Sequence, residues 1–340
     1  MNITQLIRPE VTSLEAYVPI VPFEVLSARL GRAPDEIIKL DANENPYGPS
    51  PRVRAALAAL PFPHIYPDPE ATALRAALAA DTGVPAENLL AGSGADDLID
   101  LLMRIFLEPG DAILDFPPTF GMYAFDAGIS GGRVVRVTRR DDFSLDINTI
   151  EDLYEVDTAA AERMPKLIFA ASPNNPDGSV LDDDTVRRLL ALPAVVVLDE
   201  AYIEFHGPSR LPWVLEHDNL VVLRTFSKRA GLAGLRVGYG AFPSALMPHL
   251  WKVKQPYNVS AAASAAAIAA VGDAAYMAES VTRLTAERDR MAGLLTGISY
   301  LRPYPSRANF VLCRVIGREA RQIVAALAER GILVRYFNKS

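Results

Sequence analysis

Short apolar runs, each ending in polar or turn-forming residues, alternate along the middle of this chain with segments of helical period. Strand-like runs occur at Ala112 to Phe116, Arg133 to Val137, Lys166 to Ala171 and Val195 to Leu198, and a further one opens at Leu220. Between them, Gly121 to Ala127, Ile150 to Ala161 and Thr185 to Ala191 carry the period of helices. Strand and helix in regular turn predict an α/β fold: a mostly parallel sheet with helices on both faces.

The flanking segments read differently. Pro9, Pro19, Pro22 and Pro34 interrupt the first forty residues, which leaves an arm and a short helix at Phe23 to Leu30. A loop rich in turn formers follows, Asp41-Ala-Asn-Glu-Asn-Pro-Tyr-Gly-Pro-Ser, and then helices at Pro51 to Leu60 and Glu70 to Asp81. Beyond Ser280 the chain is more polar, with a helix to Leu295, a strand at Asn309 to Val315, a helix at Glu319 to Glu329 and a strand at Ile332 to Tyr336. The expected organisation is an N-terminal arm with part of the small domain (1–40), a large domain (41–280) and a smaller α+β domain (281–340).

Parallel sheets gather ligands beyond the carboxyl ends of their strands, so those ends are where chemistry is expected. Ser172-Pro-Asn-Asn-Pro-Asp-Gly follows one strand, Asp199-Glu-Ala-Tyr the next, and Thr225-Phe-Ser-Lys the third. Lys228 thus stands where a core wall meets a turn; a lysine in apolar surroundings is available as an amine nucleophile for a Schiff base, although most lysines are solvated surface charges. Asp199, directly after four apolar residues, is costly to bury unless paired, and a protonated pyridine nitrogen would pair it. Thr225, Ser227 and Arg236 suit a phosphate, because hydroxyls donate in any rotamer and guanidinium offers a planar fork. Amine and phosphate grip together suggest pyridoxal phosphate. At Leu89-Leu-Ala-Gly-Ser-Gly-Ala-Asp-Asp, glycines lead into a helix near Ala95, either an anion-binding helix start or an ordinary turn with Asp96 and Asp97 at the helix's positive end.

Composition narrows the field. With 340 residues, half of them hydrophobic, the chain can build about two domains of ordinary size. A net charge of -7 without a basic run argues against a nucleic-acid surface. Cys313 is the only cysteine and the four histidines are scattered, so neither a disulfide nor a metal site is expected, and a reducing cytoplasm fits. The start of the chain lacks the pattern of a secretion signal, and the Ala-rich segment Val259 to Val271 is too short for a membrane span.

With Lys228, Asp199, Tyr202, Asn175 and Arg236 in view, the chain resembles the pyridoxal-phosphate-dependent aminotransferases of fold type I, and most closely the histidinol-phosphate aminotransferase group. The phrases carrying the resemblance are the Asp41 loop, Tyr66-Pro-Asp-Pro, Pro117-Pro-Thr-Phe-Gly-Met-Tyr, Ser172-Pro-Asn-Asn-Pro-Asp-Gly, Asp199-Glu-Ala-Tyr-Ile-Glu-Phe and Thr225-Phe-Ser-Lys-Arg-Ala-Gly-Leu-Ala-Gly-Leu-Arg-Val-Gly-Tyr. The resemblance implies that Lys228 bonds the cofactor and moves the substrate proton, with Asp199 at the pyridinium nitrogen and Tyr202 and Asn175 at the phenolic oxygen. Phe120 would stack on the ring, where the family often has tyrosine. Ala95, Asp96, Thr225, Ser227 and Arg236 would hold the phosphate, with Tyr66 reaching the partner subunit's cofactor in a homodimer with shared sites. Tyr17, Asn45 and Arg335 match positions around the substrate; Arg335 would meet the substrate phosphate, where without the family it reads as a surface arginine closing an edge strand.

The implied reaction passes an amino group between a small-molecule amine and a 2-oxo acid, here histidinol phosphate and 2-oxoglutarate, in histidine biosynthesis. A threonine-phosphate decarboxylase, an aromatic amino acid aminotransferase and a non-catalytic cofactor-binding relative are the alternatives. Members of the group continue past the Tyr336 region into a strand with a second substrate-binding arginine; this sequence ends at Ser340, so a shortened small domain is expected.

Overall fold

The computed structural model describes residues 2–17, 20–155 and 164–337. The strands are β1 (Ile38–Lys39), β2 (Leu89–Gly92), β3 (Ala112–Asp115), β4 (Arg133–Arg136), β5 (Pro165–Ala171), β6 (Val195–Asp199), β7 (Leu220–Thr225), β8 (Gly238–Ala241), β9 (Leu301–Pro303), β10 (Cys313–Val315) and β11 (Ile332–Leu333). The helices are α1 (Pro9–Ser13), α2 (Phe23–Leu30), α3 (Pro51–Ala58), α4 (Thr72–Thr82), α5 (Ala95–Phe106), α6 (Met122–Ile129), α7 (Ile147–Asp152), α8 (Asp183–Leu190), α9 (Met247–Val253), α10 (Ala261–Val271), α11 (Ala274–Thr296) and α12 (Ala320–Glu329). The helical segment expected at Ile150 to Ala161 is met by α7 at its start, and its residues from 156 onward lie outside the described ones.

Seven strands form the central sheet in the order β2-β8-β7-β6-β5-β3-β4. The run from β7 to β4 is parallel, while β8 is antiparallel to both its neighbours. Alternate residues of the inner strands enter two separate cores. Leu167, Phe169, Val197, Val221 and Leu223 pack with α5, α6 and α9, whereas Ile168, Ala170, Val196, Leu198 and Val222 pack with α3, α4, α8 and α10. The period of two in a strand dictates this division, and burial on both faces explains the near-continuous apolar runs of the sequence. Each of these Val, Leu, Ile and Phe side chains taken from water contributes roughly 1.5–3 kcal/mol.

Helix ends follow local chemistry. Asp182 caps α8 by accepting from Thr185 N, with Asp183 and Asp184 in the first turn and Arg187 and Arg188 in the last, matching the helix dipole at both ends. The Ala-rich helix α10 is capped by Ser260 and buries Ala263, Ala266, Ala267 and Ala270, small faces that admit α3 and α4 closely. No single helix among the described residues is long and apolar enough to cross a membrane. Only the pair α10 and α11, bent by 81°, meets that test by length and composition.

The structure corrects four strand expectations. β8 was not foreseen, because Gly238-Tyr-Gly-Ala has the glycine content of a turn and becomes a strand only by pairing between β2 and β7. β9 was not foreseen either; it contains Pro303 and pairs antiparallel with β10. The strand expected at Asn309 to Val315 is confined to Cys313–Val315, since Asn309 turns its side chain to the carbonyl of Asn43. The strand expected at Ile332 to Tyr336 stops at Leu333, where its parallel partner β1 runs out into the Asp41 loop.

Candidate active site

The strands β5 and β6 end level, with Ala171 paired to Asp199, and β7 runs two residues past Leu223, the partner of Asp199, to Thr225. Because Val197 faces α6, the alternation of the strand turns Asp199 to the same side. There the Tyr123 hydroxyl donates to Asp199 Oδ2 at 2.6 Å, and the Ala201 N–H to Oδ1 at 2.9 Å. Asp199 is 6% exposed, and no ion pair reaches it among the described residues. Burial pushes its carboxyl above the ordinary range; the Tyr123 hydrogen bond opposes most strongly, then the Ala201 N–H, with the Lys228 charge acting in the same sense and Asp96 against it.

Lys228 lies three residues beyond β7. Its Nζ donates to the carbonyl of Ala42 at 3.2 Å and stands 5.4 Å from the centroid of the Tyr202 ring. Tyr202 accepts at its hydroxyl from Asn43 Nδ2 at 3.1 Å and meets Phe310 edge-on. The loop after β1 is thus fixed from several sides, since Asn309 also donates to Asn43 O. Asn45 joins this clamp: its Nδ2 donates to Arg229 O at 2.9 Å, and its Oδ1 accepts from Tyr47 N. The residue expected at the substrate is tied to the backbone beside the lysine.

The expected phosphate groups meet at the start of α5. The first N–H groups of a helix have no partner within it, and its dipole favours an anion there. Thr225 is paired with Gly238, and a Cβ on Gly238 would lie 2.7 Å from Ala95 N, so only glycine lets the strand approach the helix start. Gly94 is constrained by its backbone, since its φ of +88° is one that residues bearing a Cβ rarely adopt, and it lies against the end of the Arg236 side chain. Arg236 donates to Asp96 Oδ2 at 2.9 Å, and its backbone is left-handed at φ 51°. Such a conformation costs on the order of 1–3 kcal/mol and persists where surrounding structure imposes it. The Thr225 hydroxyl donates to Ser227 Oγ at 3.0 Å. Asp97 fastens the turn from outside, taking Ser93 N at 2.9 Å and Asn258 Nδ2 at 2.6 Å.

Two loops complete the rim. Asn174 accepts from Thr119 Oγ1 at 2.7 Å and donates to Pro118 O and Asp177, which binds the loop carrying Phe120 to the loop carrying Asn175. The side chain of Asn175 has no hydrogen bond among the described residues. Phe120 meets Tyr123 edge-on at 5.6 Å.

Three expected residues do not join this group by any direct contact. Tyr66 is 79% exposed and stacks on Tyr257 at 4.5 Å. Tyr17 is half-exposed, its ring edge against Phe125 of α6. Arg335 is exposed, over the ring of Phe337, and makes no ion pair among the described residues; the β1–β11 pairing ties its segment to the loop that holds Lys228.

Sequence reasoning missed the groups beneath the site. Arg224 Nη2 donates to Glu204 Oε1 at 2.6 Å, Glu200 Oε2 lies 3.9 Å from Arg224 Nη1, and Arg229 Nε lies 3.7 Å from Glu204. Glu200 and Arg229 immediately follow Asp199 and Lys228, so this buried network anchors both. Removing one member leaves an uncompensated buried charge, at a cost of about 3–5 kcal/mol. An arginine inside an otherwise uncharged strand run was the available signal.

The donor set fits pyridoxal phosphate on this structure's own terms: a buried carboxylate lacking a cation, an amine at the same rim, and a cradle that a single Cβ would fill. The chain belongs to the family of class I and II aminotransferases, whose sequence pattern it matches over residues 35–339, and it is a pyridoxal-phosphate-dependent transaminase by fold and family. Its relatives are more particular. It is 55% identical over 334 residues to the chloroplastic histidinol-phosphate aminotransferase of Nicotiana plumbaginifolia, covering 98% of this chain and 79% of the relative. It is 51% identical to the histidinol-phosphate aminotransferase of Roseiflexus castenholzii, covering 99% of this chain and 92% of the relative. The crystal structure of histidinol-phosphate aminotransferase from Sinorhizobium meliloti in complex with pyridoxal-5'-phosphate superposes with a TM-score of 0.85 at 31% identity, covering 97% of this chain and 88% of that one.

Proposed function

We propose that this chain transfers the amino group of L-histidinol phosphate to 2-oxoglutarate, giving imidazole acetol phosphate and L-glutamate in histidine biosynthesis. The observation that carries the reading is the joint placement of Lys228, Asp199 and the α5 cradle at one strand rim, together with 51–55% identity to histidinol-phosphate aminotransferases over nearly the whole chain.

When bound, pyridoxal phosphate supplies the electron sink and the amino-group carrier. The residues of the chain supply the rest. Lys228 Nζ, held toward the rim by Ala42 O, is the base that takes and returns the proton at the substrate Cα. Asp199 pairs with the ring nitrogen and thereby gains the cation that its burial demands. Tyr202 and Asn175 hold the phenolic oxygen, and Phe120 covers the ring face. The N–H groups of Ala95 and Asp96, the hydroxyls of Thr225 and Ser227 and the fork of Arg236 hold the phosphate. Arg335, an exposed arginine without an ion pair among the described residues, on the segment joined to the Lys228 loop, is assigned to the substrate phosphate, with Tyr17 and Asn45 bordering the substrate.

The deciding experiment offers the purified protein L-histidinol phosphate with 2-oxoglutarate, and phosphothreonine alone. Glutamate formation from the first supports the proposal; carbon dioxide from the second, with no glutamate from the first, overturns it. Replacing Arg236 by glutamine is expected to weaken pyridoxal phosphate binding roughly 10- to 100-fold, the worth of one hydrogen bond between charged groups, as measured by fluorescence titration.

We assign the active unit to a homodimer with shared sites. Tyr66 supports this, because with Phe62 and Ile65 it exposes an aromatic and apolar surface beside Tyr257 rather than filling its own rim. Lys228→Ala mixed with Tyr66→Ala is expected to recover activity that neither has alone, since a hybrid dimer contains one intact site; no recovery after subunit exchange rejects sharing. The organisation proposed is the arm 1–40, a large domain 41–280 and a small domain 281–340. The single half-buried cysteine supports a reducing compartment such as the cytoplasm.

A further inference from the structure

Tyr123 is the one fully buried tyrosine that touches the rim, and nothing so far gives it a role. It lies on α6, stacked on Phe169 at 4.8 Å, with Phe120 edge-on to it at 5.6 Å. Its hydroxyl is given to Asp199 Oδ2 at 2.6 Å. One side chain therefore supports both the residue assigned to the ring face and the residue assigned to the ring nitrogen.

We propose that Tyr123 is a positioning residue whose donated hydrogen bond keeps Asp199 the weaker base, so that the proton shared with the cofactor's ring nitrogen rests on the nitrogen. This role rests on pyridoxal phosphate binding at the rim, as proposed. A carboxylate closed away from water becomes a stronger base unless donors stabilise its charge. Among the described residues Asp199 has two donors, the Ala201 N–H and the Tyr123 hydroxyl, and of these the hydroxyl alone belongs to a side chain. Without it, Asp199 competes for the proton that makes the ring an electron sink.

The other charged or titratable groups facing this pair do not replace the donor. Asp96 on α5 and Asp115 on β3 are carboxylates, and Asp115 is itself buried and pushed up to about 6. Tyr202, beyond β6, has its hydroxyl against Asn43, and Lys228, beyond β7, acts on Asp199 by charge while donating to Ala42 O. Tyr123 itself stays protonated, since burial raises its phenol well above the ordinary value, with the Asp199 charge adding to the effect.

The test uses the protein loaded with pyridoxal phosphate labelled with nitrogen-15 in the ring, whose chemical shift reports the nitrogen's protonation. Wild type is expected to show a protonated nitrogen, Asp199→Asn a neutral one, and Tyr123→Phe a shift toward neutral. In Tyr123→Phe, kcat should fall about tenfold or more with KM for the amine changed less than about twofold, the pattern of an interaction that matters in the transition state. A nitrogen shift in Tyr123→Phe equal to wild type, while Asp199→Asn moves it, overturns this proposal and leaves the cofactor reading standing. If Asp199→Asn does not move it either, the assignment of Asp199 fails and the proposal falls with it. Should Tyr123→Phe not fold, Tyr123→4-aminophenylalanine, a weaker donor of nearly the same shape, should move the nitrogen toward neutral; no movement refutes the proposal.

Discussion

Alanine at position 228 is expected to lower amino transfer by at least about 10⁴-fold, because the proposed mechanism assigns this one amine both the covalent anchoring and the proton transfer, and positioned proton transfer alone is worth 10²–10⁴. Nothing else at the rim takes its place. The described contacts of Lys228 are with Ala42 O and the face of Tyr202, neither of which is a base. The measurement is single-turnover conversion with L-histidinol phosphate, followed by absorbance. The variant should still bind pyridoxal phosphate through the α5 cradle, while the absorbance of the lysine-bound cofactor is lost. Retention of that absorbance in the variant would sink the assignment of Lys228.

The second large effect belongs to Asp199. Asparagine at this position is expected to lower kcat by about 10²–10³-fold, the scale set by removal of a preorganised electrostatic partner from a buried site. It should act oppositely on the cofactor-free protein. Burial raises the Asp199 pKa in the folded state, so the carboxyl contributes stability that is present below the unfolded pKa and lost as pH rises through the folded value. Without cofactor, wild type above the ordinary carboxylate range therefore buries a group whose ionisation folding disfavours, and Asp199→Asn should melt at the higher temperature there. Its advantage should grow over the window between the ordinary carboxylate pKa and the raised one, then level off. Calorimetry of the cofactor-free proteins across pH checks this; a lower melting point for Asp199→Asn at neutral pH contradicts it.

Much of the site was legible because parallel strands announce their ends. An apolar run broken directly by Asp199, and another by Thr225 and Lys228, needed no tertiary information, and the register of β5, β6 and β7 brought these ends together. The helix start at Ala95 was legible as a Gly-to-Asp transition; that Gly94 is required by its positive φ and Gly238 by its close approach to Ala95 became clear only from the structure. The groups that went unread act over long separations. Tyr123 meets Asp199 across 76 positions and Asn43 meets Tyr202 across 159, and no local period marks either. Asn45 was legible only in part. Its place in a recognisable loop suggested a substrate contact, and nothing local announced that its amide also bonds to backbone on both sides. β8 was hidden for a third reason, since glycines that weaken a strand on its own are what let this one lie against α5.

The short ladder between β1 and β11 also has a bearing on how the protein is made. It joins Ile38 to Ile332 and Lys39 to Leu333, and the loop that follows β1 supplies the carbonyl bonded to Lys228. During synthesis the central sheet can assemble from residues already outside the ribosome, and Asn43 and Asn45 can tie the loop to Tyr202 and Arg229, but its fastening through β1 waits for a partner nearly three hundred residues downstream. Closing so long a loop is slow, so the lysine's support is completed only after the sheet that carries the lysine.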